Sequence, residues 1–375
     1  MRKLLTILLV LLVAGSLFAG GNRSAGASAS AAAPSGGLRV GILTTSGVDD
    51  GSFGQDCYNG ILAFQRANPQ ARVTAILEPD MGKVVQAVSD IIADYDVLVL
   101  PGFQFAPVGV LAQQNPNKRI ILVDAYPTDA QSNEVELANV YAMQFKEEES
   151  GFFAGIAAAL ETKTNRVAVV NGIAYPSNVN YQWGFMSGVN YANKYYGTRA
   201  EIVELPSYSG TDVTGAVVGG NYIGDFADEA TGKVVGNALI NAGVDIMLVA
   251  AGASGMGVFT AAKEATGVYV IGCDVDQYDD GATGNRNVVL TSALKVMNTN
   301  VTRQLTAIAN GTFSGKNDLL SANTDSTGFV SATGRQQLSA ATLSRLNQVY
   351  PLVRSGAIVP AANFNGHSPT NFPGL

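Results

Sequence analysis

Histidine is all but missing from this chain. The single one, His367, lies close to the C-terminus, outside any periodic segment, so a Ser-His-Asp triad has no base to build on. No Gly-x-Ser-x-Gly elbow occurs, nor a Walker Gly-Lys-Ser/Thr, nor a Gly-x-Gly-x-x-Gly turn. Cysteine is limited to Cys57 and Cys273, far apart and without a CxxC pair or a His/Cys cluster. That spacing suggests no zinc site, and two buried thiols are expected rather than a disulfide. Charged residues make up only 14%, with a net charge of −7 and a pI near 4.8. An acidic chain with no basic stripe has little with which to track phosphates, which argues against nucleic acid as a partner. These absences together predict neither a cofactor nor a metal.

What is abundant is apolar side chain, at 47%, and glycine, with 42 copies in 375 residues. This is a globular profile with ample core for more than one compact domain. Arg2 and Lys3 precede an apolar run over residues 4–13 and small residues through Ala19 and Gly20. That order predicts a secretory signal over 1–19, cleaved after Ala19 and too short to span a membrane stably. A lipid anchor would need Cys after Phe18-Ala19-Gly20, where Gly21 stands. The expected location is therefore periplasmic or extracytoplasmic, without acylation. Ser, Ala and Gly dominate residues 20–37, which read as a flexible tether.

From residue 38 onward, Val/Ile/Leu runs alternate with helical periodicity. Strands are expected over 38–43, 72–77, 96–101 and 119–124, then over 166–171, 201–205, 245–250, 268–273 and 288–294. Helices are expected between them, over 56–67, 82–93, 104–114, 147–161, 178–195, 231–242, 257–266 and 297–309, with a last one over 340–353. Continuous apolar strands suit parallel sheets covered on both faces. Right-handed crossovers then give two doubly wound α/β halves, meeting near Tyr141 and Phe145, with a cleft between them. Residues 310–328 read as loop, 358–360 as a final short strand, and the tail from 361 as loosely ordered.

Ligands of such sheets bind at the carboxyl ends of strands and at helix N-termini. The stretch Ser46-Gly47-Val48-Asp49-Asp50-Gly51-Ser52-Phe53-Gly54-Gln55 occupies such a strand-to-helix loop. It offers carboxylates, a hydroxyl and a ring within a few residues; the rival reading is an acidic turn with Phe53 plugging the core. Asp274, in Gly272-Cys273-Asp274-Val275-Asp276-Gln277, and Asp124, after Ile121-Leu122-Val123, end other strands. A carboxylate there can accept two hydrogen bonds from a vicinal diol such as ribose, or else simply cap a helix or an Asx turn. Gly252, in Ala250-Ala251-Gly252-Ala253-Ser254-Gly255-Met256-Gly257, could turn backbone N–H groups toward a polar ligand. Phe53 and Phe226, beside glycines, are stacking candidates, while Phe103, Phe105, Tyr181 and Trp183 are equally at home in a core. Lys295, after Leu290-Thr291-Ser292-Ala293-Leu294, could pair with an Asp or donate to a ligand.

Taken in order, these motifs resemble the basic membrane protein family of ABC-transporter substrate-binding lipoproteins, which includes purine nucleoside receptors. The similar segments are Asp50-Gly51-Ser52-Phe53, Phe145-Lys146-Glu147-Glu148-Glu149 followed by Ala154-Gly155, Asn171-Gly172, Tyr181-Gln182-Trp183-Gly184-Phe185, Gly224-Asp225-Phe226-Ala227-Asp228, Asp274-Val275-Asp276-Gln277, Thr291 to Lys295, and Ser355-Gly356-Ala357-Ile358-Val359-Pro360. The resemblance implies a type I periplasmic-binding-protein fold, with two Rossmann-like lobes joined by a three-crossing hinge. Residues 38–143 plus 294–322 would form one lobe, 144–293 plus 323–362 the other, and 363–375 a tail. It implies a base held between Phe53 and Phe226, with Asp124 facing the base and Asp274 with Lys295 facing the ribose. Asp50, Ser52, Tyr181 and Gly252 complete the expected ligand-binding set. Where the family carries Asn after the motif's Phe, this chain has Gly54.

The function so implied is not catalytic: a soluble extracytoplasmic receptor that binds a purine nucleoside and delivers it to an ABC permease. It would touch the membrane only through that permease. Rings and aspartates also bind sugars and other small polar metabolites, which is the alternative ligand class. A nucleoside hydrolase is a third reading, for which Asp49-Asp50 is thin support.

Overall fold

The computed structural model describes residues 37–375. The signal-sequence reading, and the tether reading up to residue 36, fall outside the described residues. Five strands open the fold: β1 (Arg39–Thr44), β2 (Arg72–Leu77), β3 (Val97–Pro101), β4 (Arg119–Val123) and β5 (Val140–Phe145). Between the first four lie α1 (Phe53–Ala67), α2 (Val84–Ile91) and α3 (Gly109–Gln114). The chain continues through α4 (Glu147–Glu161), β6 (Arg166–Asn171), α5 (Pro176–Tyr196), β7 (Glu201–Ile202), α6 (Glu229–Asn241), β8 (Ile246–Ala250), α7 (Ser254–Glu264), β9 (Tyr269–Asp274) and β10 (Val289–Lys295). It ends with α8 (Met297–Ala309), β11 (Lys316–Leu320), β12 (Thr327–Phe329) and α9 (Ala340–Arg354).

The strands form two six-stranded sheets, ordered β11-β5-β4-β3-β1-β2 and β12-β10-β9-β8-β6-β7. All neighbours are parallel except β12, which runs antiparallel to β10. The two orders trace the same path, so each lobe repeats the other. On the first sheet, α1 and α8 bury one face through Cys57, Ile61, Phe64 and Met297, while α2 and α3 cover the other through Val84, Val88 and Ala112. On the second, α4, α5 and α9 cover one face and α6 with α7 the other. Cover on both faces is why the central strands are apolar at consecutive positions rather than alternate ones.

The chain crosses between sheets three times: from β5 to α4, from β10 to α8, and from β11 to β12. The second crossing is held by Asp56 on α1. Its Oδ2 accepts from the backbone N–H groups of Met297 (3.2 Å) and Asn298 (2.9 Å), and its Oδ1 from the Asn298 side chain (2.8 Å). It thereby caps α8, and burial pushes its pKa up to about 6.

Several sequence expectations need correction. Residues 310–328 are not all loop, since β11 and β12 lie there, one on each sheet. Their sequences, KNDLL and TGF, lack an apolar run because both are edge strands. Residues 140–145 form a full strand instead of a mere junction. The helix expected over 104–114 is a 3-10 turn, Phe103–Val108, containing Pro107, before α3 begins. No strand forms at 358–360. The tail is packed: Phe372 meets Phe152 edge-on at 5.9 Å, Asn190 donates to the Pro369 carbonyl, and Val359 N–H donates to that of Pro373. It is held by hydrogen bonds and one ring, which leave no periodic trace in sequence.

Candidate ligand-binding cleft

The carboxyl ends of both sheets face a cleft holding about 660 Å³ of empty space, counting the solvent at its mouth. Phe53, Gln104 and Asp124 of the first lobe line it, opposite Tyr175, Phe226 and Asp274 of the second, with Lys295 from the end of β10. Asp50, Tyr181 and Gly252 also line it, whereas Ser52 stands just behind the wall.

The opening loop is built around Asp50. Its Oδ1 accepts from the N–H groups of Ser52 (3.1 Å) and Gln55 (3.0 Å), and its Oδ2 from the Ser46 hydroxyl (2.8 Å) and the Gly54 N–H (2.9 Å). One carboxylate thus satisfies donors at the start of α1, and its negative charge suits that helix end. Gly54 is required by packing: a Cβ there would sit 2.2 Å from the Gly47 carbonyl oxygen. The loop therefore leaves no room for an amide side chain at this position. Its rigidity presents Phe53 at the first turn of α1, half-buried, with the Lys295 ammonium 4.7 Å from its ring centre.

Asp124 and Asp274 end β4 and β9, which hold the same place in the two sheets. Both adopt left-handed backbone, at φ 65° and 67°, a conformation Asp tolerates better than most side chains. The structure gathers them around Lys295, whose Nζ is 2.7 Å from Asp124 Oδ2, 3.7 Å from Asp274 Oδ1 and 3.6 Å from Glu147 Oε1. Asp124, assigned by resemblance to the base, is thus in direct contact with the lysine assigned to the ribose. Its Oδ1 is buried with no hydrogen-bond partner among the described residues. Asp274 accepts from the Tyr181 hydroxyl (3.0 Å) and, across the cleft, from the Ser52 hydroxyl (3.0 Å). Its Oδ1 also accepts from the Cys273 thiol (3.6 Å), so the freer lone pair lies on Oδ2.

Three buried carboxyls share one buried ammonium. Burial opposes the charge on Lys295, but Asp124, Asp274 and Glu147 outweigh it and hold the lysine protonated well above its usual range. Burial raises Asp124, with Lys295 pulling the other way. Burial likewise lifts Glu147 from 4.5 to about 7. Because that value exceeds the one in the unfolded chain, the contribution of Glu147 to stability is full below pH 4.5 and is lost as pH rises through about 7. The urea midpoint of the native protein should therefore fall across that window relative to Glu147→Gln. Parallel pH profiles for the two proteins would contradict this.

Sequence reasoning missed Glu147 as a member of this cluster, and with it the mouth of the cleft. There Tyr175, at the start of α5, reaches the first lobe. Its ring lies 5.4 Å from Phe103 and 6.0 Å from Phe226, and its hydroxyl 4.0 Å from Met81 Sδ. The signal was present: Pro176 marks a helix start right after a strand, where cleft residues collect. The glycines of 252–257 divide between two roles. Only Gly252 lines the cleft; Gly255 and Gly257 already lie in α7, and a Cβ on Gly257 would sit 2.0 Å from the Glu229 carbonyl of α6. Those two belong to packing. Both cysteines are free and buried.

Comparison with known proteins agrees with this architecture. Residues 38–205 and 214–352 match the family described as ABC transporter substrate-binding protein PnrA-like. An ABC transporter nucleoside-binding protein of Lactococcus lactis is 26% identical over 300 residues, covering 74% of this chain and 77% of its own. A CD4+ T-cell-stimulating antigen of Listeria monocytogenes is 29% identical over 296 residues, covering 73% and 74%. Among solved structures, a solute-binding protein of an Aeropyrum pernix ABC transporter system superposes with a TM-score of 0.74 at 21% identity, over 88% of this chain and 94% of its own. That likeness fixes the fold as the two-lobed type I periplasmic-binding-protein architecture. The family consists of extracytoplasmic binding proteins rather than enzymes, which sets the hydrolase reading aside. A two-lobed α/β chain with its polar residues gathered at facing strand ends, matched along most of its length, belongs to the PnrA-like family of ABC-transporter substrate-binding proteins.

Proposed function

We propose that this protein binds a purine nucleoside in the cleft and delivers it to an ABC permease outside the cytoplasm. The observation that carries the reading is the pairing, in one cleft, of two rings from opposite lobes with a buried Asp-Lys-Asp cluster. Phe53 and Phe226 supply flat apolar faces for a base, and Asp274 supplies paired acceptors for a ribose diol. The nucleoside-binding relative from Lactococcus lactis supports the same ligand class. Phe226 is seated on glycine: a Cβ on Gly172 would sit 2.2 Å from its ring.

A planar base touching both rings stabilises the arrangement in which the lobes approach, so binding favours closure. Stacking on one ring contributes about 1–3 kcal/mol. Phe53→Ala and Phe226→Ala should each weaken inosine and adenosine by roughly 5- to 150-fold, measured by calorimetry. The test of ligand identity is mass spectrometry of small molecules carried through purification. Recovery of a sugar in place of a nucleoside, with both alanine variants binding it normally, would refute the proposal.

A further inference from the structure

A second cavity, of about 1000 Å³ counting its solvent-filled mouth, adjoins the first. Asp124 and Ser177 line both, so two short side chains, one from each lobe, separate them. Its walls include Tyr126 and Glu134 of the first lobe, Lys146 and Glu148 of the first crossing, and Phe364 of the tail. Among the described residues, Lys146 and Glu134 enter no ion pair. Glu148 is only 5% exposed and lines this cavity, and its carboxyl accepts no hydrogen bond from another of the described residues. Of the amides there, Asn180 bonds Glu147 and Asn363, and Asn365 bonds Pro360 and Ala362, while Gln144 adds a third to the wall. The chamber therefore presents the Lys146 ammonium and the buried Glu148 carboxyl, with Glu134 exposed at its edge, beside the apolar surfaces of Phe145, Leu319 and Val359.

We infer that the nucleoside cleft extends past Asp124 and Ser177 into this chamber, and that the protein accepts nucleosides extended at the 5′ carbon by a chain ending in an amino acid. This rests on the nucleoside reading. With the ribose diol on Asp274, the 5′ carbon is the sugar position from which a substituent can leave past Asp124. The chamber complements a zwitterion: Lys146 for its carboxylate, and Glu148 with Glu134 for its ammonium. Burial, with Glu147 and Glu149 adding to it, keeps the Glu148 carboxyl neutral well above its usual range. An arriving ammonium would supply the partner it lacks. A ligand that fills both chambers touches both lobes twice, and so adds to closure rather than opposing it.

The test is calorimetry on the full chain with adenosine, 5′-deoxy-5′-methylthioadenosine and S-adenosylhomocysteine. All three should bind. Lys146→Ala and Glu148→Gln should each weaken S-adenosylhomocysteine by roughly tenfold, the loss of one charged hydrogen bond, while leaving adenosine and the methylthio compound unchanged. Binding of adenosine with rejection of both thioethers would overturn the inference and leave the nucleoside reading standing. So would thioether binding that neither variant affects, or that both variants weaken equally for all three ligands. Failure of adenosine, inosine and guanosine alike to bind would refute the nucleoside reading and this inference with it.

Discussion

Replacing Lys295 by methionine should lower the free energy of unfolding by about 3–5 kcal/mol, the cost of leaving buried charge without its partner. Lys295 is 2% exposed, and three carboxyls lean on its one ammonium. Removing it strands Asp124, whose Oδ1 already lacks a partner among the described residues. The carboxyls can recover by taking up protons, so the loss should shrink as the pH is lowered. Urea denaturation of native and variant proteins at two pH values would measure both effects. A loss under about 1 kcal/mol at mildly alkaline pH would mean that water reaches the cluster, as it does for exposed pairs. A second substitution, Asp124→Asn, should restore part of the stability by removing one of the stranded charges.

Asp274→Ala should weaken purine nucleosides by about 3–5 kcal/mol if two hydroxyl groups of the ligand rest on that carboxylate, since each charged hydrogen bond is worth about 1.5–3 kcal/mol. The backbone complicates the alanine variant, because Asp274 sits at φ 67°. Asp274→Asn tolerates that backbone and keeps one acceptor, so its loss should be about half as large. Ser52 donates to the same carboxylate, and Ser52→Ala serves as a control for the lobe-to-lobe contact alone. The native protein should prefer ribonucleosides to their 2′-deoxy counterparts. Equal calorimetric affinity for the two series would rule out the diol role.

The parallel central strands were legible because burial on both faces writes itself as unbroken Val/Ile/Leu. Asp124 and Asp274 were legible for a related reason: they end such runs, where the backbone turns out of the sheet. Lys295 stood out as a charge at the end of a buried strand. The contacts among these residues were not legible. Nothing in residues 120–124 says that the carboxylate meets a lysine 171 positions away, since that meeting depends on how two sheets face each other. Edge strands β11 and β12 escaped because pairing on one side asks little of their side chains. Glu147 and Glu148 entered the sequence reading only as part of a helix start and a family-like segment, without a place in the site. Their burial follows from α4 lying across the second sheet, which local periodicity does not report.

The route of the chain between the sheets also sets when each lobe can be finished. The first sheet begins with β1 and runs to β5, yet α8 and β11 return to it only after the whole run from α4 to β10 has been placed elsewhere. Until residues 297–320 arrive, the face of α1 that carries Cys57 and Ile61 lacks Met297, Val301 and Leu305, and β5 remains an open edge. The first lobe is therefore begun first but completed late, by contacts far apart in sequence. Such contacts fold slowly, and they leave strand edges exposed in the meantime. The lobes are partners in folding before they are partners in holding a ligand, and a cut between them in sequence would not yield two self-sufficient halves.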